Sequence, residues 1–124
     1  MIAHVTMKTL NIIGAGRVAR ALAALWRRNK GFDIQDVLNR TPGSTRDAVA
    51  FIGAGSAAPA LAAMRPANVW LLATADSDIP PVASQLAASG VLRAGDVVFQ
   101  CSGALPSSEL RERTALAPRN DTTL

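Results

Sequence analysis

A short apolar run, Leu10-Asn11-Ile12-Ile13, breaks off into Gly14-Ala15-Gly16-Arg17-Val18-Ala19, and an amphipathic stretch follows at once. This succession constrains the fold more than any other feature of the sequence. A brief apolar run ending on glycine reads as a strand buried on both faces. From Gly16 to Asn29 the apolar residues Val18, Leu22, Leu25 and Trp26 recur at three- and four-residue steps, with Arg17, Arg20, Arg27 and Arg28 on the other side, which predicts a helix. In such a unit Gly14 permits the tight turn, Gly16 lets the backbone approach a ligand, and Ala19 is small enough for close helix-to-strand packing. The amides of residues 16–18 then point out of the helix N-terminus, where the positive end of the helix dipole also favours an anion. The turn therefore predicts a pyrophosphate cradle that needs no lysine; a purely structural glycine turn is the alternative.

The rest of the chain repeats the alternation. Lys30-Gly31 closes the helix, and residues 34–38 supply a second strand. Thr41-Pro42-Gly43 reads as a turn, and Ser44 with Asp47 fits a capping box for a helix that carries Ala48, Val49 and Ile52 inward until Gly53-Ala54-Gly55 stops it. Ser56-Ala57-Ala58 is a weak third strand, and residues 59–64 form a short helical turn ended by Arg65-Pro66. Val69-Trp70-Leu71-Leu72-Ala73 is the fourth strand, and an Asp of Thr74-Ala75-Asp76-Ser77-Asp78 is expected to cap a helix that opens at Pro80-Pro81 and runs to Gly90. Residues 96–101 make the last strand, with a short helix near residues 107–113. Strands alternating with helices at this spacing require parallel pairing through right-handed crossovers. The fold predicted is a doubly wound α/β sheet in three layers, α/β/α, with strand order 3-2-1-4-5.

Such sheets bind ligands outside the carboxyl ends of the strands where the order reverses, here between the first and fourth. The candidate binding residues are therefore Gly14, Ala15, Gly16, Arg17 and Val18, then Asn39, Arg40 and Thr41, then Thr74 and Ala75, and finally Ser102 and Gly103. Dinucleotide sites that prefer NAD place an Asp or Glu at the end of the second strand, where it takes the ribose hydroxyls and repels a 2′-phosphate. Asn39-Arg40-Thr41 stands there instead. Arg40 can form charge-assisted hydrogen bonds to such a phosphate, and Asn39 and Thr41 weaker ones, so NADP is the expected cofactor with NAD as the alternative. Asp76 and Asp78, beside a helix start, read as caps rather than as an acid-base pair. Ser102 and Gly103 could meet the nicotinamide or a substrate, or form an ordinary turn. Cys101 reads as strand packing, and His4 has no visible partner.

Absences narrow the chemistry. With no Tyr, and His4 the only histidine, the sequence supplies neither the Tyr-Lys pair of short-chain dehydrogenases nor a lactate-dehydrogenase-like base. There is no Gly-Lys-Ser/Thr of a P-loop, and no acidic residue precedes Gly14 as in methyltransferase glycine loops. One cysteine rules out an internal disulfide and a multi-cysteine metal site, and suits a reducing cytoplasm. The formal net charge of +4 invites comparison with nucleic-acid binders, but the arginines are spread over the whole chain and only three Phe and two Trp could stack on bases. No apolar run approaches the ~20 residues needed to cross a bilayer. Neither nucleic acid nor membrane is an expected partner, and no catalytic residue is assigned.

Four segments together resemble one family. They are Leu10-Asn11-Ile12-Ile13-Gly14-Ala15-Gly16-Arg17-Val18-Ala19, Asn39-Arg40-Thr41, Val69-Trp70-Leu71-Leu72-Ala73-Thr74-Ala75-Asp76-Ser77-Asp78-Ile79, and Gln100-Cys101-Ser102-Gly103-Ala104-Leu105. The sequence is similar to Rossmann-like oxidoreductases related to pyrroline-5-carboxylate reductase, 6-phosphogluconate dehydrogenase and the deazaflavin-dependent NADP reductases. The Cys-Ser-Gly-Ala-Leu segment resembles members with a C-terminal helical domain of unknown function. The resemblance implies an N-terminal NAD(P) domain, with a helical domain completing the substrate site and usually the dimer. On that basis residues 1–6 are a leader, 7–117 the dinucleotide-binding domain and 118–124 a polar tail expected to be disordered. The expected function is cofactor binding for hydride transfer to an unspecified small molecule, with the substrate domain missing, so that the chain alone is not a competent catalyst and a homodimer or a partner helical domain is left open. The alternative is a non-catalytic nucleotide-binding or sensing module that works through a partner chain.

Overall fold

Strands and helices alternate along residues 7–100, which are the residues the computed structural model describes. The order is β1 (Thr9–Ile13), α1 (Arg17–Arg28), β2 (Asp33–Leu38), α2 (Pro42–Ile52), β3 (Ser56–Ala57), β4 (Val69–Leu72), α3 (Ile79–Ala88) and β5 (Val97–Gln100), with 3-10 turns at Leu61–Ala63 and Asp76–Asp78. The strands pair in parallel in the order β3-β2-β1-β4-β5, as the alternation predicts. The helix expected near residues 107–113, together with His4, Cys101, Ser102 and Gly103, lies outside the described residues.

Both faces of the sheet are covered. Leu10, Ile12, Val37 and Leu71 pack with Ala19, Ala23, Ala48 and Ile52 beneath α1 and α2. Ile13, Trp70, Leu72 and Val98 pack on the other side with Ala83 and Leu86 of α3. This two-sided burial explains why β1 and β4 are continuous apolar runs rather than alternating ones.

The inward face of α1 differs from the one its large apolar residues suggest. Ala19 and Ala23 are its buried residues, whereas Val18 is 62% and Leu25 42% exposed. A small-residue stripe lets the helix axis lie close to the sheet, which large side chains at the same positions would prevent. Two of the arginines expected to face water reach α2 instead: Arg27 Nε donates to the Ile52 carbonyl at 2.8 Å, and Arg20 lies 5.6 Å over the Phe51 ring.

The start of α2 is also displaced from the expected position. Thr41 is the N-cap: its hydroxyl accepts the Ser44 N–H at 3.1 Å, and the Ser44 hydroxyl accepts the Thr41 N–H at 3.2 Å. Pro42, read as part of a turn, occupies the first turn of the helix, where its missing N–H costs nothing. Gly53, in the left-handed region at φ 82°, ends the helix as expected.

β2 carries one residue more than β1 between matched positions, since Leu10 pairs with Ile34 but Ile12 pairs with Val37. The irregularity falls at Gln35 and Asp36. Asn11 Oδ1 accepts from Asp36 N–H and Gln35 Nε2, both at 3.0 Å, and Asn11 Nδ2 donates to the Arg65 carbonyl at 2.6 Å. The buried Asp36 carboxylate accepts from the Arg65 backbone N–H at 2.7 Å and from its guanidinium at 2.8 and 3.3 Å. Hydrogen bonding to Asp36 first, and its charge second, hold the Arg65 pKa above the ordinary arginine value. A buried carboxylate is tolerable only with such partners. The network pins the connection between β3 and β4 against the underside of the sheet.

Candidate functional site

The glycine turn is built by its neighbours. Gly14 has φ +86°, and a Cβ there would lie 2.5 to 2.7 Å from Thr74 Cγ2, N and Cα. Its N–H donates to the Leu38 carbonyl at 2.7 Å, and Ala73 N–H donates to the Ile13 carbonyl at 2.8 Å. Gly14 is thus where the turn is pressed between the ends of β2 and β4. Gly16 is different. As N-cap of α1 it has φ −79° and ψ −163°, and a Cβ there would meet no atom within 4 Å. Among the described residues no side chain caps α1, so the first-turn N–H groups of Arg17, Val18 and Ala19 have no capping partner there.

At the end of β2, Asn39 is spent on structure. Its Nδ2 donates to the Ala15 carbonyl at 3.1 Å and the Ser44 carbonyl at 3.3 Å, and its N–H donates to Thr45 Oγ1 at 2.8 Å. Thr41 is engaged in the cap of α2. Only Arg40 of the three extends outward, with its side chain 82% exposed and its Nη2 3.2 Å from Asp78 Oδ2. Asp78 was expected to cap the following helix; its side chain makes no capping bond there and turns to Arg40 instead. The Asp78 N–H donates to the Ala75 carbonyl at 2.8 Å, closing the 3-10 turn that precedes the helix. On the β4 side the Thr74 hydroxyl is buried with no hydrogen-bond partner among the described residues.

These strand ends enclose a cleft of about 470 Å³. Of the residues singled out from the sequence, Gly14, Gly16, Asn39, Arg40, Thr74 and Ala75 line it. Ala15 is buried beneath the turn, Arg17 and Val18 are exposed at the head of α1, and Thr41 lies outside the lining. Asp78, Pro81, Val82 and Gln85 form a wall that the sequence reading missed. They stand at positions i, i+3, i+4 and i+7, so the helical periodicity that located α3 also marks this face. Among the described residues no cluster of His, Cys, Asp or Glu could hold a metal ion, and no helix is long and apolar enough to cross a membrane.

A parallel sheet in this order, with a glycine turn at its switch point and helices on both faces, defines a Rossmann-type α/β domain. The chain belongs to the Rossmann-like domain family, matched over residues 3–116. Among solved structures it is similar to a candidate NADP oxidoreductase from Bacteroides fragilis, at 27% identity and a TM-score of 0.71, covering 83% of this chain and 39% of that one. It shares its fold with prephenate dehydrogenase from A. aeolicus, solved with hydroxyphenyl propionate and NAD+, at 17% identity and a TM-score of 0.76 over 97% of this chain and 42% of that one. Synechocystis arogenate dehydrogenase is similar at 19% identity and a TM-score of 0.72, over 87% and 37%. The chain spans about two-fifths of the length of these structures. No curated protein matches the sequence.

Proposed function

We propose that this domain binds a nicotinamide dinucleotide along the carboxyl ends of β2, β1 and β4, prefers NADP to NAD, and serves as the cofactor-binding part of an oxidoreductase. The space above Gly16 carries this reading. A glycine whose backbone angles suit any residue, and whose missing Cβ would touch no protein atom, has no structural need to be glycine. An outside group that must approach the backbone supplies that need. The free first-turn amides of α1 beside it suit a pyrophosphate.

From that point the remaining residues take their roles by position. Arg17 adds positive charge at the helix head. Arg40, at the end of β2, would hold a 2′-phosphate on the adenosine ribose, a donor geometry that suits guanidinium. Thr74 and Ala75 lie on the β4 side, toward which the nicotinamide half would extend, and Ser102 and Gly103 are proposed to continue that side. The dinucleotide would supply hydride chemistry; the residues of this chain bind and orient it. The substrate, the wall that holds it, and a cytoplasmic setting belong to the same proposal. A non-catalytic nucleotide-binding module acting through a partner chain is the second reading, favoured by a cleft whose one lining carboxylate among the described residues, Asp78, is engaged by Arg40.

The test is calorimetric titration of the chain with NADPH, NADH and a flavin in parallel. Saturable binding of NADPH tighter than NADH is expected, with none of the flavin. Failure of both nicotinamide dinucleotides to bind would remove the proposal.

A further inference from the structure

We infer, on the dinucleotide reading above, that Asp78 determines how strongly this domain discriminates a 2′-phosphorylated dinucleotide from an unphosphorylated one, by competing with the phosphate for Arg40. Arg40 follows β2 and Asp78 follows β4, 38 residues later, and β1 lies between those strands in the sheet. Their side chains nevertheless meet at 3.2 Å, so the pair bridges the mouth of the cleft over the end of β1. Both residues line that cleft.

The sequence places no carboxylate at the end of β2, but folding delivers one there from the opposite wall. A carboxylate in that position acts on a 2′-phosphate in two ways. It holds guanidinium donors that the phosphate needs, and it repels the phosphate charge directly. Neither effect weakens binding of a ribose that bears only hydroxyls, which can donate to a carboxylate instead. Asp78 therefore weakens the phosphorylated dinucleotide selectively.

The carboxylate has no competing duty among the described residues. It forms no cap at the start of α3, and among the described residues it accepts a side-chain hydrogen bond from Arg40 alone. The pair is also displaceable, because the two side chains are 82% and 44% exposed and ion pairs this open to water are weak. A phosphate can take Arg40 from Asp78, but the preference for it is smaller than an unpaired Arg40 would give.

The experiment uses the full chain in four forms, namely wild type, Asp78→Asn, Arg40→Ala and the double variant, each titrated with NADPH and NADH. Asp78→Asn should raise the ratio of the NADH to the NADPH dissociation constant about two- to fivefold, through tighter NADPH binding. In the Arg40→Ala background the same substitution should move the ratio less than half as far. Asp78→Ser, also neutral, repeats the comparison should the Asn variant fold poorly. Titration with 2′,5′-ADP against 5′-AMP should show the same shift, which places it on the phosphate rather than on the nicotinamide half. An unchanged ratio in both neutral variants, with wild type binding NADPH, overturns the role of Asp78 and leaves the dinucleotide reading intact. An equal shift with and without Arg40 overturns the competition. Loss of all dinucleotide binding in wild type overturns the reading itself and this inference with it.

Discussion

Two glycines separated by one residue do opposite jobs, and substitution should separate them. At Gly14 a side chain would strike Thr74 and would have to adopt φ +86°, so Gly14→Ala should cost about 1–3 kcal/mol from strain alone and lower the melting temperature. At Gly16 a side chain fits the backbone and meets only open space. Gly16→Val should therefore melt within a few degrees of wild type while losing NADPH affinity by at least about tenfold, the cost of a single lost charged contact. Calorimetric titration beside a thermal melt checks both. Binding of NADPH by Gly16→Val at wild-type strength would falsify the cradle. The Gly-x-Gly spacing and the separate roles of its two glycines were legible in the sequence, but the contact that presses on Gly14 was not, because Thr74 is sixty residues away along the chain. Asn39 shows the same limit. Read as a phosphate contact, it ties Ala15 and Ser44 together, and Asn39→Asp would set a carboxylate against two carbonyls. That variant should lose stability rather than simply exchange cofactors.

Elements were legible where one local rule governed them. Continuous apolar runs marked the buried strands, and glycines marked the helix ends. The helix faces were harder, since α1 buries alanines and leaves Val18 in water, which periodicity of large side chains reads the other way round. The start of α2 was ambiguous because Thr41 with Ser44 and Ser44 with Asp47 both have the spacing of a capping box. Pro42 decides between them, as the first turn of a helix is the place where proline is favoured. Thr41→Ala should consequently destabilise the chain by about 1 kcal/mol, or roughly 4–8 °C in melting temperature, and Asp47→Ala by much less. The irregularity in β2 had no local signal at all, because Asn11, Asp36 and Arg65 come from three distant segments. Asp36→Ala removes the acceptor of three hydrogen bonds at a buried position and should lower the melting temperature on the order of 10 °C.

At the scale of the whole molecule, the sheet assembles a cleft from strand ends whose polar lining, among the described residues, is small and mostly engaged. Its lining is glycine, alanine and aliphatic residues with Asn39, Arg40, Thr74, Asp78 and Gln85 as the polar members. Asn39 braces the turn, Arg40 and Asp78 hold each other, and the buried Thr74 hydroxyl is too weak an acid to serve alone. Hydride transfer also requires a substrate held at contact distance with water excluded, which takes a second wall. This chain covers 39%, 37% and 42% of the three structures named above. The chain by itself should therefore bind NADPH yet leave its rate of oxidation at background when imine, pyrroline or keto-acid substrates are added. Following the absorbance of the reduced nicotinamide at saturating cofactor checks this directly. Turnover clearly above background would show that the wall and the proton donor reside within these 124 residues, whereas turnover appearing only on addition of a helical partner would place them there.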